Sequence, residues 1–281
     1  MVESRSERLI KQVEQALNED IGSGDLTSDL INRDHLSKGF IIAREPGTLC
    51  GIEWFDEVFK QVDSSIQVRW LLSDGDSFYA DERICDMSGH SRSILTAERT
   101  ALNFLQTLSG IASLTKKYVN AVEGTGVTIL DTRKTIPGLR LAQKYAVRCG
   151  GASNHRIGLY DAILVKENHI NASGSLEKTL NGLKKIIGKK DIKIEVEVEN
   201  IPQLESALKD GIKNILLDNF SLSELYEAVK INKRRANLEA SGNISLKNVR
   251  EIAETGIDQI SIGALTKNLL TIDFSMLFEK N

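Results

Sequence analysis

Residues 192–199 read IKIEVEVE, in which apolar and charged side chains alternate without interruption. This period of two predicts a β-strand and places Glu195, Glu197 and Glu199 on one face. An edge strand that exposes an acidic side to water would show the same pattern. Inside a barrel, the carboxylates would have to be protonated, paired with cations or bridged by a metal.

Outward from this strand, short apolar runs alternate with segments of helical length. The other runs are 127–130, 162–165, 215–217, 238–240 and 260–262, and the helices are predicted near 139–149, 176–187, 202–209, 222–232 and 246–254. This alternation predicts a parallel sheet, either open and doubly wound or closed into a barrel. Polar or small residues follow nearly every run, which favours a barrel, whether complete or incomplete. No GxGxxG or GxxxxGK[ST] loop supports a dinucleotide or P-loop site.

The sequence before residue 95 has a different character. A helix at 7–19 precedes strand-like segments at 40–43, 66–72 and 83–87, which are separated by turn signals. A small α+β unit of roughly a hundred residues is therefore expected. A long helix then runs from Ala97 to about Val122, with Thr96 as its predicted N-cap and Ser109-Gly110 as a candidate break.

Composition excludes several classes of protein. The 281 residues are 41% hydrophobic and 27% charged, which is neither disordered nor membrane-spanning. The net charge of −3 lacks the basic excess of a nucleic-acid-binding protein. The N-terminus lacks the apolar core of a signal peptide, so a cytoplasmic location is expected. Cys50, Cys85 and Cys149 are odd in number and form no CxxC pair, so they are interpreted as packing residues.

Cations cluster at the predicted strand ends of the second half. Taken singly, each is most simply a solvated surface charge, but strand ends converge on one mouth. A mouth rich in cations suits a polyanionic substrate, because arginine matches carboxylate and phosphate groups and lysine supplies a point charge. The candidates are Arg133, Lys134, His155, Arg156 and Lys166, with Arg99 near the start of the long helix.

Two late loops and two carboxylates complete the candidate site. Each loop contains a glycine, which lets the backbone approach a ligand, and precedes a helix, whose free N–H groups bind phosphate. The two loops therefore predict a phosphate site, although either loop alone could be an ordinary barrel connection. Glu197 and Asp218 are expected on neighbouring strands, where they could hold Mg²⁺ through water or bind a ribose. The loops are Ser241-Gly242-Asn243 and Ile262-Gly263-Ala264.

These motifs together resemble quinolinate phosphoribosyltransferase. The most specific block contains TRKTIPGLR at 132–140, GASNHR at 151–156 and LVKENH at 164–169. The motifs EDIGSGDLT at 19–27, ERTALN at 98–103, EVEVE at 195–199, LDN at 217–219 and EASGNI at 239–244 also fit. The resemblance extends in order from about residue 18 to the C-terminus.

The resemblance implies a type II phosphoribosyltransferase fold. An N-terminal α/β sandwich domain would span residues 1–112, and an incomplete (β/α) barrel would span 113–281, with the extreme C-terminus as a segment that could return to the first domain. The implied reaction joins quinolinate to phosphoribosyl pyrophosphate and gives nicotinate mononucleotide, pyrophosphate and CO₂ in de novo NAD biosynthesis. A homodimer is also implied, in which Arg99 reaches the active site of the neighbouring subunit.

The resemblance also assigns roles to individual residues. It places catalysis on Lys134, Lys166, Glu197 and Asp218, with the last two near Mg²⁺ and the ribose. The quinolinate pocket would contain Arg99, Thr132, Arg133, Lys134, His155, Arg156 and Lys166. The loops Ser241 to Asn243 and Ile262 to Ala264 would take the 5′-phosphate.

Other functions remain open from the residues alone. Lys166 follows a predicted barrel strand, which is where a Schiff-base aldolase carries its lysine. A non-catalytic or differently specific relative could bind phosphoribosyl compounds as a module, although it would not need the whole cationic set. A purely structural barrel would not need polar strand ends.

Overall fold

The computed structural model describes residues 4–187 and 192–280, which form two compact units. The first unit contains residues 4–116, 135–151 and 265–280, and the second contains 117–134 and 152–264. The predicted division between residues 112 and 113 falls inside a continuous helix, and segment 135–151 groups with the first unit. Residues 1 and 281, the outer limits of the prediction, lie outside the described part.

Helices and strands follow one another along the chain in a mixed order. The helices are α1 (Arg5–Ile21), α2 (Ile52–Val62), α3 (Ser91–Ala121), α4 (Arg140–Cys149), α5 (Glu167–Ser173), α6 (Leu176–Ile187), α7 (Ile201–Lys209), α8 (Leu222–Asn232), α9 (Val249–Ala253) and α10 (Ala264–Lys267), with a 3₁₀ turn at Ser28–Leu30. The strands are β1 (Leu36–Ala43), β2 (Gly47–Thr48), β3 (Gln67–Trp70), β4 (Ser77–Phe78), β5 (Arg83–His90), β6 (Thr128–Leu130), β7 (Ile163–Val165), β8 (Ile194–Val198), β9 (Asn214–Asp218), β10 (Asn237–Ser241), β11 (Gln259–Ser261) and β12 (Phe274–Phe278).

The first unit is built on a four-stranded antiparallel sheet in the order β12-β1-β5-β3. Because β12 pairs with β1, the end of the chain returns to this unit. Helix α1 begins at a capping box formed by Ser4 and Glu7, and it buries Leu9, Val13 and Leu17 at intervals of four. The α/β arrangement expected for this half is therefore present.

Helix α3 differs from its prediction at two points. It begins at Ser91 rather than Ala97, and Thr96, the predicted N-cap, lies inside it and donates a hydrogen bond from its hydroxyl to Asp25 at 2.7 Å. The predicted break at Ser109-Gly110 is wrong, because the helix continues through both residues. A side chain at Gly110 would clash with the backbone of Leu270, so this glycine serves close packing rather than a turn.

The second unit is built on a six-stranded parallel sheet in the order β6-β11-β10-β9-β8-β7. Each apolar run predicted after residue 127 is a strand of this sheet. Among the described residues no ladder joins β7 to β6, so the barrel is incomplete. The parallel strands direct their carboxyl ends to one edge, where side chains from distant parts of the sequence meet.

Strand β8 is covered on the face opposite its glutamates. Val196 and Val198 are fully buried there. Glu195 and Glu197 therefore point to the concave side of the sheet. No helix within the described ranges has both the length and the apolar character that crossing a bilayer demands.

Candidate active site

A cavity of about 250 Å³ opens at the carboxyl edge of the parallel sheet. Residues from six strands or their following loops contribute to its wall, although they span more than a hundred positions of the chain. The lining residues are Thr132, Arg133, Lys134, His155, Arg156, Leu164, Lys166, Glu197, Leu216, Asp218, Glu239, Ser241 and Ser261.

Asp131, directly after β6, organises one wall of the cavity. This residue is fully buried, and its carboxylate accepts hydrogen bonds from the Asn154 side chain at 2.6 Å and from the His155 backbone N–H at 2.8 Å. Asp131 therefore fixes the segment that carries His155 and Arg156. Asp131 is not among the site residues predicted from the sequence; full burial of a charged residue is the signal that identifies it.

Two guanidinium groups share the cavity. The Nε atom of Arg133 is buried and has no hydrogen-bond partner among the described residues. Burial, and then the nearby charge of Arg133, lowers the pKa of Arg156. Two arginines that repel each other, one with a buried N–H that lacks a partner among the described residues, could be neutralised by an anion with more than one charge.

Beneath the cations lies a buried cluster of His155, Glu195 and Glu239, which we call the deep layer. The Nε2 atom of His155 lies 2.8 Å from Glu195 Oε2 and 3.5 Å from Glu239 Oε2. The backbone N–H of Arg156 donates to His155 Nδ1 at 2.7 Å. Both ring nitrogens are therefore engaged, and the Nε2 proton faces the carboxylates.

The surroundings of the deep layer shift the pKa values of its two glutamates in opposite directions. Burial, and then the charge of Glu195, raises the pKa of Glu239 to about 7. Burial also acts on Glu195, but the hydrogen bond and charge of His155 outweigh it and lower its pKa. The three side chains form a donor set of the kind that metals use. We assign their charge balance to protons because burial raises the pKa of Glu239, while Glu195 Oε1 and both Glu239 oxygens are buried and have no hydrogen-bond partner among the described residues.

Nearer the opening, Lys166, Glu197, Asp218 and Ser241 form what we call the rim. The ammonium group of Lys166 pairs with Glu197, and Asp218 accepts a hydrogen bond from the Asn219 side chain at 2.8 Å. Strands β8 and β9 are hydrogen-bonded neighbours, so the expected adjacency of Glu197 and Asp218 is confirmed. Two carboxylates at an open edge suit Mg²⁺, which keeps several waters and phosphate oxygens as its remaining ligands.

The two predicted phosphate loops follow β10 and β11. Gly242 has a φ of 98°, and a side chain there would clash with Asn219. Asn243 also has a positive φ, of 51°, and its side chain donates to Asn219 Oδ1 at 3.2 Å. This cross-connection ties the loop after β10 to the loop after β9.

The second loop is less open than the sequence suggests. Ile262 is buried, and its N–H donates to the Leu130 carbonyl at 2.9 Å. Gly263 lies beside Lys134, whose Cδ would be 3.1 Å from an added Cβ. The helix that follows, starting at Ala264, has only four residues. This loop therefore packs Lys134, while β10 supplies Ser241 to the cavity wall.

Other predicted residues occupy defined positions. Thr132 accepts a hydrogen bond from the Lys134 N–H at 3.0 Å and so shapes the turn after β6. Lys166 precedes α5, a helix absent from the sequence prediction, and its N–H donates to His169 Nδ1 at 3.0 Å. Arg99 is exposed on α3 and belongs to the first unit.

Comparison with known proteins identifies the family of this chain. The family described as quinolinate phosphoribosyl transferase, C-terminal domain, matches residues 111–277, and the corresponding N-terminal domain matches residues 25–109. The chain belongs to this family. Both halves are therefore accounted for, in the expected order.

Individual members of the family cover nearly the whole chain. A probable nicotinate-nucleotide pyrophosphorylase (carboxylating) of Synechocystis is 39% identical over 273 residues, covering 96% of this chain and 92% of its own. Its namesake in Bacillus subtilis is 38% identical and covers 94% and 93%. The structure of the nicotinate-nucleotide pyrophosphorylase from Francisella tularensis superposes with a TM-score of 0.95 at 45% identity, covering 99% and 98%.

Proposed function

We propose that this protein is a decarboxylating quinolinate phosphoribosyltransferase of de novo NAD biosynthesis. It would join quinolinate to phosphoribosyl pyrophosphate and release nicotinate mononucleotide, pyrophosphate and CO₂. Membership of the family supports the reaction class. The single observation that carries the substrate is the pair Arg133 and Arg156 in one cavity, with a buried guanidinium N–H that has no partner in the part of the chain that the structure describes.

Quinolinate carries two carboxylates on adjacent ring positions. The two guanidinium groups and the ammonium groups of Lys134 and Lys166 supply cations for both carboxylates. Because the cations repel one another when the cavity is empty, a dianion relieves that repulsion as it binds. A monoanionic pyridine carboxylate would neutralise less of this charge, which favours quinolinate over nicotinate.

Phosphoribosyl transfer places positive charge on the ribose as pyrophosphate departs. The pyridine nitrogen attacks the anomeric carbon, and the bond from that carbon to pyrophosphate breaks. Glu197 and Asp218, at the rim, are the carboxylates available to stabilise the developing charge. The same two residues would hold Mg²⁺, which supplies charge neutralisation for pyrophosphate when bound. Ser241 and the loop after it would receive the 5′-phosphate.

Decarboxylation then follows from the chemistry of the product. Once the ring nitrogen is ribosylated, the pyridinium accepts the electron pair left by the departing CO₂. The ring carbon that carried this carboxylate, next to the nitrogen, then takes up a proton. The protein has to hold the ring and exclude water. Before this step the two substrate carboxylates are held by Arg133, Arg156, Lys134 and Lys166.

A homodimer completes the proposal. Arg99 of the partner subunit would contribute a further cation to the quinolinate pocket, and the protein would act in the cytoplasm. The exposed position of Arg99 on α3 supports its role in the pocket of the partner subunit, because an exposed arginine is free to meet a ligand held by another chain.

A decarboxylation assay tests the reaction. Quinolinate labelled in its 2-carboxylate should release labelled CO₂ only when phosphoribosyl pyrophosphate and Mg²⁺ are both present, and EDTA should abolish the release. Nicotinate in place of quinolinate should give no comparable nucleotide formation. Release without phosphoribosyl pyrophosphate, or full activity in EDTA, would contradict the reaction or the metal role, respectively.

Mixed dimers test the shared site. Arg99→Ala and Lys166→Ala homodimers should both be nearly inactive. Heterodimers purified with two different tags should recover activity, because each contains one site with both residues intact. If verified heterodimers remain as inactive as the parents, Arg99 does not act across an interface.

A further inference from the structure

Two of the three cysteines meet inside the first unit. Cys50 lies just before α2, and Cys149 is the last residue of α4. Their sulfur atoms lie within 4.8 Å of each other and of a carboxylate oxygen of Asp74. The sequence separates the two cysteines by ninety-nine positions, so this proximity was not visible from spacing.

The surroundings distinguish the thiols from the neighbouring carboxylate. Asp74 already accepts hydrogen bonds from the Gly51 N–H at 2.9 Å and from the Tyr145 hydroxyl at 2.7 Å. A metal ion bound here would have to displace those donors, whereas both thiols are reduced and unbridged. The pair is therefore better suited to reacting with itself than to holding a cation.

The two thiols also differ in accessibility. Cys50 has no exposed surface, while Cys149 is partly exposed. The hydrogen bond from Cys50, assisted by Tyr145 and the charge of Arg148, lowers the pKa of the Cys149 thiol despite its partial burial. Burial raises the pKa of the Cys50 thiol. This asymmetry resembles that of an attacking thiol beside a resolving thiol.

We propose that Cys149 and Cys50 form a redox site that reacts with hydroperoxides and closes to an intramolecular disulfide. The Cys149 thiolate attacks the O–O bond, becomes a sulfenic acid, and releases hydroxide or alkoxide, which takes up a proton. The Cys50 thiol then loses its proton and attacks the sulfenic sulfur, and water leaves as the S–S bond forms. Two thiols are oxidised by two electrons and one hydroperoxide is reduced.

The local backbone allows the closure. An S–S bond is about 2 Å long, so the sulfur atoms must approach each other. Gly51 follows Cys50 with a φ of 119°, and Gly150 and Gly151 follow Cys149, the latter with a φ of 90°. Gly51 and Gly151 hold backbone conformations that favour glycine, whereas Gly150 packs closely against Ala112 and Thr115. The disulfide would join the start of α2 to the end of α4.

Peptide mapping of the full-length protein tests this site. The protein is treated with hydrogen peroxide, denatured, alkylated and digested without reductant. We expect a peptide in which Cys50 is linked to Cys149, two hydrogen masses lighter than the separate peptides, and we expect dithiothreitol to regenerate both thiols. This readout uses the wild-type protein, so it does not depend on the folding of a variant.

Three variants assign the roles. In Cys50→Ser, dimedone should trap a sulfenic acid on Cys149, whereas in Cys149→Ser the buried Cys50 should stay reduced. Cys85→Ser is the matched control because Cys85 is equally buried, and it should form the cross-link as the wild type does. Two results would overturn the proposal: a wild-type protein that accumulates Cys149 sulfinic acid while Cys50 stays a thiol, or Cys149→Ser protein in which Cys50 oxidises at the wild-type rate.

Discussion

Glu195 and Glu197 lie two residues apart on the same face of β8, yet they occupy different electrical environments. The Glu195 side chain is 2% exposed and is held by His155, whereas Glu197 is 13% exposed and pairs with Lys166, which is itself 45% exposed. The spacing of two residues along the strand, about 6–7 Å, separates the deep layer from the rim. The comparison shows how one alternating sequence produces a fixed layer and an exchangeable layer.

The deep layer and the rim differ in whether a bound ligand can replace the partners of their charged side chains. In the deep layer His155 is held between Glu195 Oε2 and the Arg156 N–H, while Glu195 Oε1 and both oxygens of Glu239 are buried and have no hydrogen-bond partner among the described residues. The rim ion pair is reached by solvent, so a substrate carboxylate can take Lys166 and a cation can take Glu197 without leaving either charge buried and unpaired. We expect changes above the deep layer to affect activity and changes within it to affect stability and its pH dependence.

The largest effect is expected for Arg133→Ala, which removes a cation above the deep layer. kcat/KM for quinolinate should fall by the factor that corresponds to a loss of about 2–5 kcal/mol of transition-state stabilisation, because a buried guanidinium–carboxylate contact is lost. Steady-state kinetics with quinolinate as the varied substrate measures this. Arg33→Ala, at an exposed position of the first unit, is the control. Wild-type kinetics in Arg133→Ala would remove Arg133 from the substrate site.

Glu239→Gln probes the deep layer through pH. Because the pKa of Glu239 rises from 4.5 to about 7 on folding, the folded wild type binds an extra proton between those values. Its free energy of unfolding should therefore fall as pH rises from 4.5 through 7, by up to about 3 kcal/mol from this group. Glu239→Gln should lack this loss and gain stability relative to the wild type at pH 8.

Urea denaturation at pH 5 and pH 8 measures that change. Glu227→Gln, on the exposed surface of α8, serves as the matched control and should follow the wild-type pH dependence. If the free energies of unfolding of Glu239→Gln and of the wild type change with pH in the same way, Glu239 is ionised at neutral pH. The deep layer would then need a cation in place of a shared proton.

The smallest effect is expected for the rim ion pair. A double-mutant cycle with Lys166→Met and Glu197→Gln should give a coupling of only about 0–1 kcal/mol in unfolding free energy, because Lys166 is solvated. Urea denaturation of the four proteins measures the coupling. A coupling above about 2 kcal/mol would mean that the pair stabilises the fold, and the proposed contrast between rim and deep layer would fail.

Much of the fold was predictable because local patterns and global fold agree. Every strand of the parallel sheet was expected from its apolar run, and α8 was predicted with both of its ends, since Ser221 and Glu224 form a capping box there. The predictions failed where a tertiary contact overrides a local signal. Thr96 has a good N-cap side chain but bonds to Asp25, and Gly110 suggests a break but packs against Leu270.

The candidate site was predicted less evenly. Arg133, Arg156, Lys166, Glu197 and Asp218 were expected at one mouth, and all five line the cavity. The same reasoning did not identify Asp131 or Glu239 as site residues. A carboxylate's sequence position does not reveal whether it is buried, and burial is what makes these two side chains important.

The sequence by itself determined the alternation of strands and helices, the chemical types at the strand ends and the family. These follow from periodicity and motif order, which are properties of neighbouring residues. Only the tertiary structure decided that burial raises the pKa of Glu239 while His155 lowers that of Glu195, and that Cys50 meets Cys149. Desolvation and distance between side chains far apart in the chain set those outcomes, and neither exists until the chain is folded.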